Sequence, residues 1–340
     1  MVAMTRSAAL LKCLSSSIAV KPTPSKVHLH RPIPDAAFPK GYLLTGMHCG
    51  IKRDTQALDL GLILSTSKRP TAAAASFTQN AFKAAPVLVS QDVITQGGGR
   101  ARSVVISSGC ANAVTGPNGV RDAMAMSKAA DVLHENKGDG YGALVMSTGV
   151  IGVPLPIDKI LTGINSIGLK QHTSSLGSGF DAWERTARAF MTTDTFPKVR
   201  ARTFTINGVK FRIAGIDKGA GMLHPVMGPP SAPHATLLAC ILTDAPIAPR
   251  CLQSALNYAV ERSFNSISVD GDMSTNDTVF VLANGAAVDC AEMEEIDSQK
   301  HPDAYKMFRT ELTALAVELA QLLVRDGEGA TKFVTISVEV

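Results

Sequence analysis

Hydrophobic positions along residues 40–340 fall into short apolar runs and longer stretches of helical period. Residues 58–67 (LDLGLILSTS), 85–90 (APVLVS), 103–107 (SVVIS), 141–148 (YGALVMST) and 236–242 (TLLACIL) have the length and composition of strands bounded by small or polar residues. Residues 203–215 alternate around Asn207-Gly208, a strong hairpin signal, and 331–340 (TKFVTISVEV) alternate as a strand. Residues 119–136, 157–167, 182–191, 250–264 and 302–325 carry apolar positions at helical spacing. The Ala-rich stretch 71–84 is compatible with helix or loop, and the packed body is expected to begin near Pro39. Strands and helices follow one another without a regular βαβ rhythm. That predicts an α+β fold of layered sheets flanked by helices rather than a doubly wound one.

Composition narrows the function classes. Apolar residues make up 45% of the 340 and charged residues 18%, which excludes a mostly disordered or fibrous chain. No stretch approaches the roughly 18 apolar residues of a spanning helix, so no membrane partner is expected. The net charge of +4 is misleading. Residues 1–34 hold Arg6, Lys12, Lys21, Lys26 and Arg31 and no acid, which leaves the remainder close to neutral. The body therefore has no polyanion-binding balance, and no nucleic-acid partner is expected. The acid-free leader, with its Ser, Pro and basic residues, reads as a transit peptide over 1–34 leading to the mitochondrial matrix. The six cysteines form no CxxC pair and are expected as reduced thiols.

Candidate chemistry is sparse. There is no G-x-S-x-G elbow and no G-x-x-x-x-G-K-[ST] loop. Asp270-Gly271-Asp272-Met273-Ser274 imitates a calcium loop but has Thr275 where the turn glycine belongs and Val281 where the bidentate Glu belongs. The histidines show no metal-ligand spacing, so no metal is expected. Gly97-Gly98-Gly99 before Arg100 reads as a loop rather than a phosphate cradle. Small-residue turns after apolar strands occur at 107–116 (SSGCANAVTG), where Cys110 reads as a buried thiol, and at 147–152 (STGVIG). The second can present a backbone N–H and the Thr148 hydroxyl to an oxyanion. In 218–238, Thr236 stands between a Gly/Pro-rich loop and an apolar strand. Cleavage of Ala235–Thr236 would give Thr236 a free α-amine beside its own hydroxyl, and an α-amine titrating near about 8 can serve as base. An ordinary Thr at a strand start fits those residues equally.

Together SSGCANAVTG (107–116), STGVIG (147–152), MTTDTFPK (191–198), KGAGMLHP with HATLL (218–238), DGDMSTNDT (270–278) and GEGATKFVTI (327–336) resemble the ornithine acetyltransferase family, the bifunctional glutamate N-acetyltransferases of arginine biosynthesis. The 228–234 loop is similar to the fungal mitochondrial branch. The resemblance implies a self-cleaving, N-terminal-nucleophile-like fold, an α chain (35–235) and a β chain (236–340) cut at Ala235–Thr236, and a heterotetramer of two each. It implies acetyl transfer from N2-acetylornithine to glutamate through Thr236, with acetyl-CoA as a second acetyl donor and no bound cofactor. Thr148 and Gly149 match the oxyanion hole. Lys218, Glu328 and Thr192, with Thr193 next, match substrate-binding positions. Family members continue past 331–340 with an Asp-x-Asn-Trp-Gly-Arg segment and a terminal substrate-contacting Asn and Ser/Thr. Here the one Trp is Trp183, so the resemblance implies a truncated β chain and a pocket lacking part of its wall. A hydrolase of related fold, passing the acyl group to water as aminopeptidases do, and an inactive truncated remnant are the alternatives.

Overall fold

The computed structural model describes residues 25–134, 142–168, 175–225, 227–228, 237–288 and 293–338. Residues 1–24 of the leader, and Ala235 and Thr236, lie outside the described residues. The first sheet contains β1 (Tyr42–Met47), β2 (Leu60–Ser65), β4 (Ser103–Cys110) and β5 (Leu144–Val150), in that spatial order. Its β4 and β5 run parallel, and its other pairs are antiparallel. The second sheet has the order β6 (Lys198–Ile206), β7 (Val209–Lys218), β9 (Leu238–Thr243), β10 (Thr278–Ala283), β3 (Ala72–Thr78), β8 (Met227–Gly228). Here β9 and β10 are the parallel pair.

The two sheets face each other, with helices outside them. Leu44, Ile63, Val104, Ile106 and Met146 of the first sheet share a core with Phe77, Ile216, Cys240, Leu242, Phe280 and Leu282 of the second. The outer face of the second sheet, through Ile213, Ile241, Val279 and Val281, is covered by α5 (Pro249–Glu261) and α6 (Pro302–Asp326). The outer face of the first, through Leu60, Leu62, Val105 and Val145, is covered by α2 (Gly116–Asp131) and α3 (Ile157–Gly168). Strands buried on both faces carry no polar alternation. That is why LACILT and TVFVLA read as unbroken apolar runs. Helix α4 (Phe180–Phe190) supplies Trp183, Ala187 and Phe190 to the core between the sheets, with Trp183 stacked 4.8 Å from Phe38.

The layered α+β expectation holds; several element assignments need correction. Residues 85–90 open a helix, α1 (Ala85–Gln96), not a strand. A short apolar run fits either element, and Pro86 in the first turn pre-sets the helical φ. Residues 72–78 are a strand. Alanine fits there because both faces are buried: Ala72 and Ala74 meet the α5 side, Ala73 and Ala75 the other sheet. The outer edge of β3 is closed by an amide side chain. Gln253 Nε2 donates to the Ala75 carbonyl (2.9 Å), and the Ala75 N–H donates to Gln253 Oε1 (3.1 Å). Residues 331–338 pair with no strand among the described residues, and Val334, Ile336 and Val338 are exposed. Alternation only marks a strand when a ladder partner exists. The packed body also starts earlier than Pro39: Lys26 is buried and its Nζ donates to the Gly327 carbonyl at 3.1 Å.

Candidate active site

Both sheets end at one corner, and that corner carries the site. Ser108 pairs with Thr148, and Gly109 with Gly149, across β4 and β5. Gly109 and Gly149 have φ of +122° and +127°, values that side-chain-bearing residues rarely adopt. A Cβ on Gly149 would stand 2.4 Å from the Gly109 carbonyl carbon. Gly149→Ala is therefore expected to cost more than about 2 kcal/mol by chemical denaturation. Gly152→Ala, with φ +77° but nothing within 4 Å, is the comparison and should cost only about 1 kcal/mol. Equal losses would show that left-handed strain, not this contact, decides the cost.

Lys218 ends β7 and reaches across from the second sheet. Its Nζ donates to Thr148 Oγ1 at 3.1 Å. Accepting this bond does not use the Thr148 hydroxyl's own proton. Beside Lys218, Leu238 begins β9, and Thr278 begins β10 on its other side. Asn276 fastens this corner to the first sheet, its Nδ2 donating to the carbonyls of Ala111 (2.6 Å) and Ser147 (2.8 Å).

An open cavity of about 690 Å³ lies over the corner. Thr148, Gly149, Thr192, Thr193, Lys218 and Glu328 all line it, as does Leu237, the residue after Thr236 in sequence. Every matched position among the described residues thus converges in one cavity, though those positions come from segments spread over 148–328. Cys110 does not line it; it is buried, and burial pushes its thiol up rather than toward a thiolate. Arg100 is engaged elsewhere, paired with Glu295 at 2.9 Å.

Charges around the cavity are arranged by residues that sequence reading left without a role. Asp194 accepts the N–H of Thr192 (3.1 Å) and of Gly219 (2.8 Å), so it holds the turns that carry Thr192 and Lys218. Lys198, fully buried, donates to Asp194 and Asp326 at 2.6 Å each. Burial alone would raise Asp194, but Lys198, Lys218 and the Gly219 N–H outweigh it and hold the carboxyl at about 2. Burial lowers Lys218 from the usual lysine range, assisted by Lys198 and opposed by Asp194, Asp277 and Glu328. Asp277 lines the cavity and is fully buried. Burial pushes it well above the usual carboxylate range. Asp270, from the loop that imitates a calcium site, instead accepts the N–H groups of Met222 (2.6 Å) and Leu223 (2.8 Å). The visible signal for these residues was the acids in MTTDTFPK and DGDMSTNDT; their partners are too distant in sequence to be paired by spacing.

The ArgJ family profile matches residues 43–340. The chain belongs to the ArgJ family. It is 62% identical over 333 residues to "Arginine biosynthesis bifunctional protein ArgJ, mitochondrial" of Postia placenta, a span covering 97% of this chain and 72% of that protein. The protein of the same description in Coprinopsis cinerea is 60% identical over 337 residues, covering 97% and 71%. Among solved structures, the bifunctional ArgJ protein of Bacillus halodurans superposes with a TM-score of 0.50 at 34% identity, covering 57% of this chain and 93% of that one. This ArgJ-family chain is accordingly an acyltransferase of arginine biosynthesis, and it is mitochondrial.

Proposed function

We propose that this chain moves an acetyl group from N2-acetylornithine to glutamate through an acetyl ester on Thr236, after cutting itself at Ala235–Thr236. The observation that carries this reading is the convergence of Thr148, Gly149, Lys218, Thr192 and Glu328 in the cavity that Leu237 also lines. In the cleavage, Thr236 Oγ takes over the Ala235 acyl group from its own nitrogen, and water then hydrolyses that ester, leaving a free α-amine. In transfer, Thr236 Oγ adds to the acetyl carbonyl carbon while its proton passes to that amine. The oxyanion is met by the Thr148 hydroxyl and the Gly149 N–H, preorganised donors that do not have to rearrange during the reaction. Collapse breaks the C–N bond, returns the proton to the departing ornithine nitrogen and leaves acetyl-Thr236. The glutamate amine then attacks this ester and restores the Thr236 hydroxyl.

Charge in the cavity suits amino-acid substrates. The Lys218 ammonium faces an α-carboxylate and Glu328 an ornithine amine. Acetyl-CoA is the second donor in this reading, acylating the same Thr236. The two pieces stay together because β9, in the β chain, hydrogen-bonds to β7 of the α chain, and β10 to β3. Two such αβ units make the heterotetramer. The experiment is to incubate the protein with labelled N2-acetylornithine alone. One label per active site should become covalent and should discharge to N-acetylglutamate when glutamate is added. Discharge to free acetate at the same rate without glutamate would instead indicate a hydrolase.

A further inference from the structure

Next to the acyl cavity lies a second cavity of about 510 Å³ whose wall is basic. His48, Lys52, Arg53 and Lys159 line it, and Lys52 also lines the acyl cavity, so the two share a wall. None of Lys52, Arg53 and Lys159 forms an ion pair among the described residues. Lys52 Nζ donates only to the carbonyls of Leu58 and Met191, each at 2.7 Å, and Lys159 Nζ to the Gly50 carbonyl at 3.2 Å. Asp59, Asp194 and Asp54 act on Lys52 only through space, and none of them pairs with the three cations among the described residues. Asp59 is buried and its carboxylate is taken by the backbone N–H groups of Cys49, Gly50, Ile51 and Lys52, at 2.6–3.2 Å, with His48 Nδ1 at 3.2 Å. Asp54 is exposed and accepts the Gln56 N–H at 2.9 Å. The first turn of α3 begins at the same place, after Pro154 and Pro156; its N-terminus adds positive potential, offset in part by the exposed Asp158 of that turn.

Between the basic wall and the Thr148–Gly149 hole runs an apolar ledge. Val150 and Ile151 line the acyl cavity and Val153 the basic one, and they are 59%, 45% and 42% exposed. Apolar side chains clustered at the rim of a cavity mark a surface that something covers. A ligand that fits this sequence of environments has an acyl group at one end, an apolar arm in the middle and phosphates at the other end.

Resting on the acyl-transfer reading above, we infer that the basic cavity lined by Lys52, Arg53 and Lys159 holds the phosphates of a phosphorylated acyl thioester, with its arm along Val150, Ile151 and Val153. The acetyl group of acetyl-CoA then reaches the same hole that receives N2-acetylornithine. The thioester C–S bond breaks as the acyl–oxygen bond forms, and the thiolate leaves with a proton.

The test uses the full chain and two charge reversals confined to the basic cavity, Arg53→Glu and Lys159→Glu. Binding of coenzyme A and of inorganic pyrophosphate is measured by calorimetry at two salt concentrations, beside acetyl exchange between N2-acetylornithine and glutamate. Coenzyme A should bind the unaltered chain, less tightly at high salt, and each reversal should weaken it by about tenfold or more. Acetyl exchange should stay within about twofold in both variants. Absence of coenzyme A binding to the unaltered chain, or equal binding to the variants, overturns the inference. So does tight pyrophosphate binding with no gain for coenzyme A, which would make this a free-anion site. Failure of acetyl exchange in the unaltered chain would instead count against the proposed reaction, and the binding arm would still judge the cavity.

Discussion

Thr236→Ala is expected to leave the chain in one piece and to lower acetyl transfer by about four orders of magnitude or more. The unaltered protein should show two fragments by intact mass, the smaller with Thr236 at its N-terminus. In the proposed mechanism both effects come from one oxygen, which would attack the Ala235 carbonyl once during maturation and an acetyl carbonyl in every turnover. Thr236→Ser keeps that oxygen and should still cut, which separates chemistry from folding. The cavity that Leu237 lines is built by β4, β5, β7 and the turns at 192–194 and 218–219. A side-chain change at 236 should therefore leave the far-ultraviolet spectrum unchanged. Cleavage at the same rate in Thr236→Ala would remove the nucleophile from this reading.

Lys198→Met is expected to cost about 3–5 kcal/mol of stability, the scale seen when one partner of a buried ion pair is removed. Lys198 is fully buried and its Nζ bonds Asp194 and Asp326 at 2.6 Å each. A third acid, Asp217, is buried close by with neither carboxyl oxygen hydrogen-bonded among the described residues, and burial pushes it well above its usual range against the pull of Lys198. Removing this ammonium takes from Asp194 and Asp326 their shortest ion pairs in a dry interior, with Asp217 buried close by. Asp194 carries the pH dependence of this ion pair. Its folded-state value of about 2 lies below the unfolded one, so its contribution is present above about pH 4 and fades as the pH falls toward 2. Asp217 and Asp277, raised by burial, act in the opposite sense, so the test is the difference: in urea denaturation at neutral pH and near pH 3, the cost of Lys198→Met should be smaller at the lower pH. Adding Asp194→Asn and Asp326→Asn to Lys198→Met should recover part of the loss. A cost below about 1 kcal/mol for Lys198→Met alone would mean that water reaches these acids.

Much of the architecture was legible because burial on both faces leaves plain marks. The apolar runs of β2, β4, β5 and β9, the Asn-Gly turn between β6 and β7, and the periodic helices α2 to α6 were each visible without partners; the equally apolar β10 was not picked out. Residues 85–90 and 72–78 were harder for opposite reasons. The first was too short for its period to distinguish helix from strand. The second owes its state to neighbours, since only a strand wedged between α5 and the facing sheet makes use of so many alanines. The alternation at 331–338 misled because a pattern carries no ladder partner with it. At the site, motif resemblance named Thr148, Gly149, Thr192, Lys218 and Glu328, and they share one cavity. It missed Asp194 and Lys198, because their roles depend on Asp326 and Gly219, contacts made only after folding.

The position of β9, held between β7 and β10 in the second sheet, has a consequence for how the mature protein can be reassembled. Before cleavage, all the strands of that sheet belong to one molecule, and folding is a first-order event. Under the proposed cleavage at 235–236, β9 and β10 would belong to one polypeptide and β3, β6, β7 and β8 to another. Unfolding then releases two independent chains, and the entropy of their separation favours the unfolded side. Recovery becomes a second-order process whose yield depends on protein concentration. The precursor would thus act as its own assembly template, used once, and the cut would turn a refoldable chain into one whose persistence rests on slow unfolding.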